Sequence, residues 1–138
     1  MIKNLEMFRN IKAKHAKEIL SFLLSEKEEF DLLCVTKEIS FNPLLPTHIS
    51  SAFGDIILFS LANYTLQSAK IIKNTIEFEA GFGEENFGSI VSVPIDAILQ
   101  ISKNETPLFV NVTATIPKPE KPKNPFEMNP RNKKFMNE

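Results

Sequence analysis

Cys34, His15 and His48 are the side chains best suited by type to nucleophilic or metal chemistry, and their placement supports neither. The two histidines stand 33 positions apart in different expected elements, so no ligand spacing proposes a metal site. Cys34 is the single cysteine, which rules out an intrachain disulfide, and its neighbours Leu32, Leu33 and Val35 read as a buried strand thiol. Glu84 and Glu85 occupy a glycine-rich turn and are expected to be solvated rather than a catalytic pair. Gly81, Gly83 and Gly88 do not form a dinucleotide fingerprint, because no helix begins at them. There is no Walker loop, no Gly-x-Ser-x-Gly elbow, no His-Glu-x-x-His and no pattern for a cofactor, so the expectation is a protein that is not an enzyme. What the chain has in quantity is phenylalanine, with 12 Phe against one Tyr and no Trp. Phenylalanine carries no polar handle and serves as core filler or as the lining of an apolar groove. The remaining chemistry is recognition of another polypeptide, in which an extended peptide lies in a groove beside a strand edge.

The elements that would position such a groove follow from hydrophobic periodicity. Residues 8–25 read as an amphipathic helix, with Phe8, Ile11, His15, Ile19, Phe22 and Leu23 at three- and four-residue steps and Ala16, Leu20 and Leu24 widening the stripe. The stripe is wide enough for one part to pack on the domain's own sheet and another to meet a second subunit. His15 falls on it as a packed or interface imidazole. Strands are expected over 32–39, 48–52, 56–61, 66–72, 75–82, 89–93 and 108–115, with Asn42-Pro43 and Pro46 as turn or edge punctuation. Gly54-Asp55 and Lys73-Asn74 mark tight connections. Within 75–82, Ile76, Phe78 and Ala80 alternate with Glu77 and Glu79 as a half-buried strand does. After Pro94 the spacing of Ile95, Ile98, Leu99 and Ile101 becomes helical, with the proline at a first-turn position. The fold expected is mainly β, a small antiparallel open barrel or sandwich with an amphipathic N-terminal helix and a short helix after Pro94.

Three segments carry a family likeness. Gly54-Asp55-Ile56-Ile57-Leu58 is similar to a Gly-x-Ile-Val-Leu strand, Ala80-Gly81-Phe82-Gly83 to a strand ending in Ala-x-Phe-Gly, and Val91-Ser92-Val93-Pro94 to a Val-Ser-Val-Pro run leading into a short helix. In this order and spacing, over about 16–111, the chain resembles SspB (stringent starvation protein B), a family of adaptors for the ClpXP protease. The resemblance implies a groove that binds degradation-tagged polypeptides, above all the ssrA tag, between the strand of Ala80 and Phe82 and the segment after Leu58. Phe59, Phe78, Ala80, Phe82, Val91, Ser92 and Val93 match groove or near-groove positions. The alternative for Phe78 and Phe82 is that they are core rings. The resemblance further implies a homodimer through the N-terminal helix, at Ile11, His15, Ile19, Phe22 and Leu23, and a tail that docks on the ClpX ATPase. The chain departs from the family where Gly81 replaces an arginine, where Phe59 stands for an asparagine, and in a longer turn.

Composition sets the outer bounds. Hydrophobic residues at 43% and charged residues at 24% suit one folded domain, expected over 1–116. No apolar run reaches the ~18 residues of a membrane span and the N-terminus lacks a signal-peptide core, so a cytoplasmic protein without a membrane partner is expected. Residues 117–138 change character, with Pro117, Pro119, Pro122, Pro125 and Pro130 at short intervals, and read as a solvated tail with extended character. The tail carries six Lys and Arg against three Glu, a balance of +3, so with −1 overall the body is −4. Lys133, Lys134, Phe135 and Met136 are its docking candidates, although the family's tail ends in a basic residue amid branched aliphatics and is longer. A small Sm-like module that binds RNA through the basic tail is the alternative of a different class. The acidic body and the lack of aromatics interleaved with cations on any strand argue against a nucleic-acid partner. A structural or assembly protein that shares the fold is the third reading.

Overall fold

The computed structural model describes residues 2–116. The chain opens with helix α1, Leu5–Ser25, whose start is fixed by Asn4: its side-chain oxygen accepts the Met7 N–H at 3.1 Å, satisfying a first-turn donor. The helix ends in a Schellman arrangement, with Glu28 N–H donating to Leu23 O at 2.9 Å and Lys27 N–H to Leu24 O at 3.2 Å. Lys27, at φ 57°, takes the left-handed position that glycine usually fills.

Eight strands follow, in two antiparallel sheets of four. They are β1 (Phe30–Val35), β2 (Ser40–Asn42), β3 (Ile56–Leu61), β4 (Lys70–Ile72), β5 (Thr75–Phe82), β6 (Phe87–Pro94), β7 (Ile98–Lys103) and β8 (Thr106–Val110). One sheet has the order β3-β1-β7-β8 and the other β2-β6-β5-β4. Two short helices, α2 (Thr47–Ser50) and α3 (Asn63–Ser68), flank β3 in the chain. Ala16, Leu20 and Leu23 of α1 join a single core with Leu32, Cys34, Phe59 and Leu61 of the first sheet and Ile76, Phe78, Val91 and Val93 of the second. Each large apolar side chain buried this way contributes about 1.5–3 kcal/mol. The mainly-β architecture with an N-terminal helix is therefore as expected.

Tight turns come from residues that tolerate positive φ. Asn104 and Glu105, at φ 50° and 66°, form the two-residue link between β7 and β8, and both angles match a type I′ hairpin. Between β5 and β6 the turn uses Gly83 at φ 72° and Asn86 at φ 54°, closed by Asn86 N–H to Gly83 O at 3.1 Å.

Five segment expectations need correction. The helix expected after Pro94 is a single 3-10 turn, Ile95–Ala97, and Ile98–Lys103 is strand β7, paired with β1 and β8. A bulge explains the misleading spacing. Leu33 faces Gln100 while Cys34 faces Ile98, so Leu99 is an extra residue and Ile98 and Ile101, three apart, both reach the core. Residues 48–52 begin inside α2 instead of a strand, because the Pro46 carbonyl accepts from Ile49 and Ser50 N–H at 2.9 and 3.0 Å and only Ile49 is buried. Residues 66–68 belong to α3, where Ser68 Oγ bonds back to Thr65 O at 2.8 Å, and the strand is left with three residues, Lys70–Ile72. Strand 32–39 starts two residues earlier and gives way to a 3-10 turn at Thr36–Glu38. Strand 108–115 stops at Val110. Asn111 is buried there, its side-chain oxygen accepting Thr113 N–H at 3.2 Å and Thr113 Oγ, which starts the 3-10 turn Val112–Thr115.

A candidate peptide cleft between two strand edges

β3 is an edge strand, and hydrogen-bond parity tells which of its groups are unpaired. Thr36 N–H donates to Asp55 O at 2.9 Å in the same register that pairs Cys34 with Ile57 and Leu32 with Phe59. Residues of the intervening pairs, Leu58 opposite Leu33 and Ser60 opposite Asp31, therefore turn their N–H and C=O away from β1. The same reasoning applies to β5. The Glu79 N–H donates to Ser68 Oγ at 2.9 Å, away from β6, so Gly81 two residues later presents its N–H and C=O on the same side. β4 covers that side only opposite Thr75, Ile76 and Glu77. Beyond Glu77, α3 lies beside β5, with Ser68 and Tyr64 both bonded to Glu79, and the edge is open from Gly81.

A cleft of about 410 Å³ lies between these two edges, lined by Leu58, Phe59 and Ser60 of β3, by Phe78, Ala80 and Phe82 of β5, and by Phe53 and Thr65. Its floor is aromatic. Phe59 meets Phe78 edge-on at 5.2 Å and Phe82 at 6.4 Å between centroids, and Phe82 continues into Phe41 at 5.6 Å and Phe53 at 6.1 Å. At its far end α2 leans on the β5–β6 turn. A Cβ at Gly83 would stand 3.1 Å from Ile49 Cδ1, and His48 Nε2 is 3.4 Å from Glu85 Oε2 across the exposed surface.

A second cleft, of about 580 Å³, opens on the outer face of the same strand and shares Thr65, Ala80 and Gly81 with the first. Polar side chains stand among its lining residues: Tyr64 Oη donates to Glu79 Oε1 at 3.0 Å, and the Asn86 amide lies over Gly81, where a Cβ would overlap Asn86 Oδ1. Asn42 and Ser89 complete it, Ser89 Oγ donating to Pro43 O at 2.8 Å. The hydrogen bond to the Glu79 carboxylate holds the Tyr64 phenol above its usual range.

Of the groove residues named from the resemblance, Phe59, Phe78, Ala80 and Phe82 come together in the inner cleft. Val91 and Val93 do not: they are fully buried on β6, where β5 pairs with both and β2 pairs with Val91. Ser92 faces the other way, opposite Ser40 and Glu77. The helix residues also divide. Leu23 is in the core and Ile19 packs against it, whereas Ile11, His15 and Phe22 are exposed on the opposite side with Met7. Lys133, Lys134, Phe135 and Met136 lie outside the described residues. Sequence reasoning missed Phe41, Phe53, Tyr64, Glu79 and Asn86 as neighbours of the clefts. Phe41 and Phe53 stand directly before Asn42-Pro43 and Gly54-Asp55, a signal that aromatic residues flank the turns. Cys34 is fully buried and its thiol is pushed up to about 12 by desolvation, which keeps it un-ionised.

Among the described residues no group of three or more His, Cys, Asp or Glu is placed to hold a metal, and no helix is long and apolar enough to cross a membrane. No family model and no curated protein matches the chain.

Proposed function

We propose that the cleft between β3 and β5 binds an extended segment of another polypeptide, and that the protein is an SspB-like adaptor passing such segments to the ClpX ATPase of the ClpXP protease in the cytoplasm. The observation that carries this reading is the pair of facing strand edges. Leu58 and Ser60 on one side and Gly81 on the other present unpaired backbone groups above a phenylalanine floor. A peptide entering there gains main-chain hydrogen bonds from an edge and buries alternate side chains on the rings, which is strand addition. The exposed face of α1, with Met7, Ile11 and Phe22, supports pairing with a second copy, because a symmetric pair of such helices is self-complementary. Residues 117–138 are the proposed tether, and a short flexible tether gives an effective concentration on the order of mM without any chemistry by the adaptor.

The test is degradation of ssrA-tagged and other tagged substrates by purified ClpXP with and without this protein. A lower apparent KM with little change in kcat is the expected result. An unchanged KM across the set, together with no binding of the tags to the isolated protein, would sink the adaptor reading.

A further inference from the structure

The inner and outer clefts are two sides of one strand edge. Because side chains alternate across a strand, a peptide laid along the open part of β5 sends one side chain onto the phenylalanine floor of the inner cleft and its neighbour over the outer one. The inner position meets Phe59, Phe78 and Phe82, which accept an apolar group and offer no polar partner. The outer position meets Glu79, Asn86 Oδ1 and the bare backbone of Gly81 and Gly88. Among the described residues Glu79 is the single formally charged one lining either cleft, and its carboxylate accepts from the neutral Tyr64 hydroxyl. Glu84 and Glu85 on the adjoining turn add negative potential, opposed by His48. Lys70 stands opposite Glu77 on the covered half of β5, before the open edge.

We infer that the cleft selects an extended peptide in which an apolar residue is followed or preceded directly by lysine or arginine, the cation lying over the outer face against Glu79. The inference rests on the peptide-binding reading above and adds the class of sequence that is bound. Its physical basis is complementarity: a donor-only cation satisfies the carboxylate and the Asn86 carbonyl at once, whereas an acidic residue at that position meets a like charge directly across the pair. Gly81 makes this possible, since any side chain at that position would displace the Asn86 amide and fill the shelf on which the peptide residue lies. The consequence is a preference opposite in sign to that of a groove with an arginine at position 81.

Three fluorescein-labelled decapeptides, capped at both ends, of alternating valine and threonine and identical except for Lys, Gln or Glu at one central threonine position, test this by fluorescence anisotropy against the full chain. The Lys peptide is expected to bind about fivefold tighter than the Gln peptide, and the Glu peptide to bind weaker than Gln by a similar factor, as cross-strand charge pairs allow. In Glu79→Gln, which keeps an acceptor for Tyr64, the three affinities are expected to converge. An amide shift at Gly81 in a labelled sample is the expected mark of a peptide on β5, and shifts at Leu58 and Ser60 without Gly81 would put it on β3 and overturn the inference. Equal binding of all three peptides by the unmodified protein overturns the charge preference and leaves the peptide cleft standing. A preference that survives in Glu79→Gln overturns the role given to that carboxylate. Failure of all three to bind, at any salt concentration, removes the peptide cleft and the inference together.

Discussion

The two halves of β5 have the same alternation and different fates. Ile76 and Phe78 point inward and are 0% and 1% exposed, while Ala80 and Phe82, continuing the same inward row, are only half-buried. Nothing in the side chains separates Phe78 from Phe82. What separates them is cover: β4 pairs with Thr75, Ile76 and Glu77, and α3 takes over at the next rung through Ser68 and Tyr64 on Glu79, so the cover ends between Phe78 and Phe82. From there the first sheet's edge strand β3 lies across a gap instead of a hydrogen-bonded partner. A core and a cleft are thus built from one strand by where its neighbours stop. A three-residue β4 followed by the short α3 leaves the edge open from Gly81.

The sharpest way to break this comparison is to truncate both rings. Phe78→Ala removes a fully buried ring that contacts Phe59 at 5.2 Å, and is expected to cost about 3–5 kcal/mol of unfolding free energy. Phe82→Ala removes a ring that already faces solvent in part and is expected to cost about 1–2 kcal/mol, since less apolar area returns to water. Peptide affinity should fall in the second variant while the fold persists. Chemical denaturation monitored by circular dichroism measures both; equal costs would show that the two rings belong to one closed core.

Gly83→Ala probes the end of the open half with an effect expected at about 1–2 kcal/mol. Its φ of 72° is disfavoured for any residue with a Cβ, and the added carbon would stand 3.1 Å from Ile49 Cδ1 of α2. The matching change at Gly88, where nothing lies within 4 Å of an added Cβ, is the control. Comparable losses at both glycines would show that neither the backbone angle nor the α2 contact matters.

Periodicity made the long paired strands legible. Residues 75–82 alternate cleanly because β5 buries one face only, and its limits coincide with those read from the sequence. β7 was hidden because its bulge places Ile98 and Ile101 at a helical interval on an extended backbone. α2 and α3 were hidden because they are short and rich in Ser, Thr and Asn, residues that weigh equally towards turns, so tertiary position and local back-bonding decided. At the candidate site the alternation placed Phe78, Ala80 and Phe82 on one face, yet which of them open to solvent depended on where the cover of β4 and α3 ends. Val91 and Val93 show the reverse limit: their motif fits a strand near the cleft, but both side chains are spent in the core. The outer cleft had no local signal, since Asn86 reaches Gly81 only once the turn has closed.

The smallest expected effect concerns the covered and open halves through a single probe. Tyr64 is the chain's one tyrosine and there is no tryptophan, so tyrosinate absorbance reports this position alone. Its hydroxyl donates to Glu79 just before the open half, and that hydrogen bond, then the carboxylate's charge, raise the phenol above its ordinary 10.0. The sign follows directly. The donor is lost when the phenol ionises, so the contact contributes fully below pH 10.0 and disappears as pH rises through the higher folded value. Glu79→Gln removes the charge and leaves an acceptor, so the titration should move back towards 10.0 without reaching the acid side of it. Glu77→Gln, the same change opposite Lys70 on the covered half, should leave the titration where it is. A bound peptide with arginine at the outer position, which stays charged through this range, would draw on the same carboxylate and lower the phenol's titration in parallel with Glu79→Gln. If the peptide binds and the titration stays fixed, the cation does not reach Glu79 and the two clefts do not act as one site.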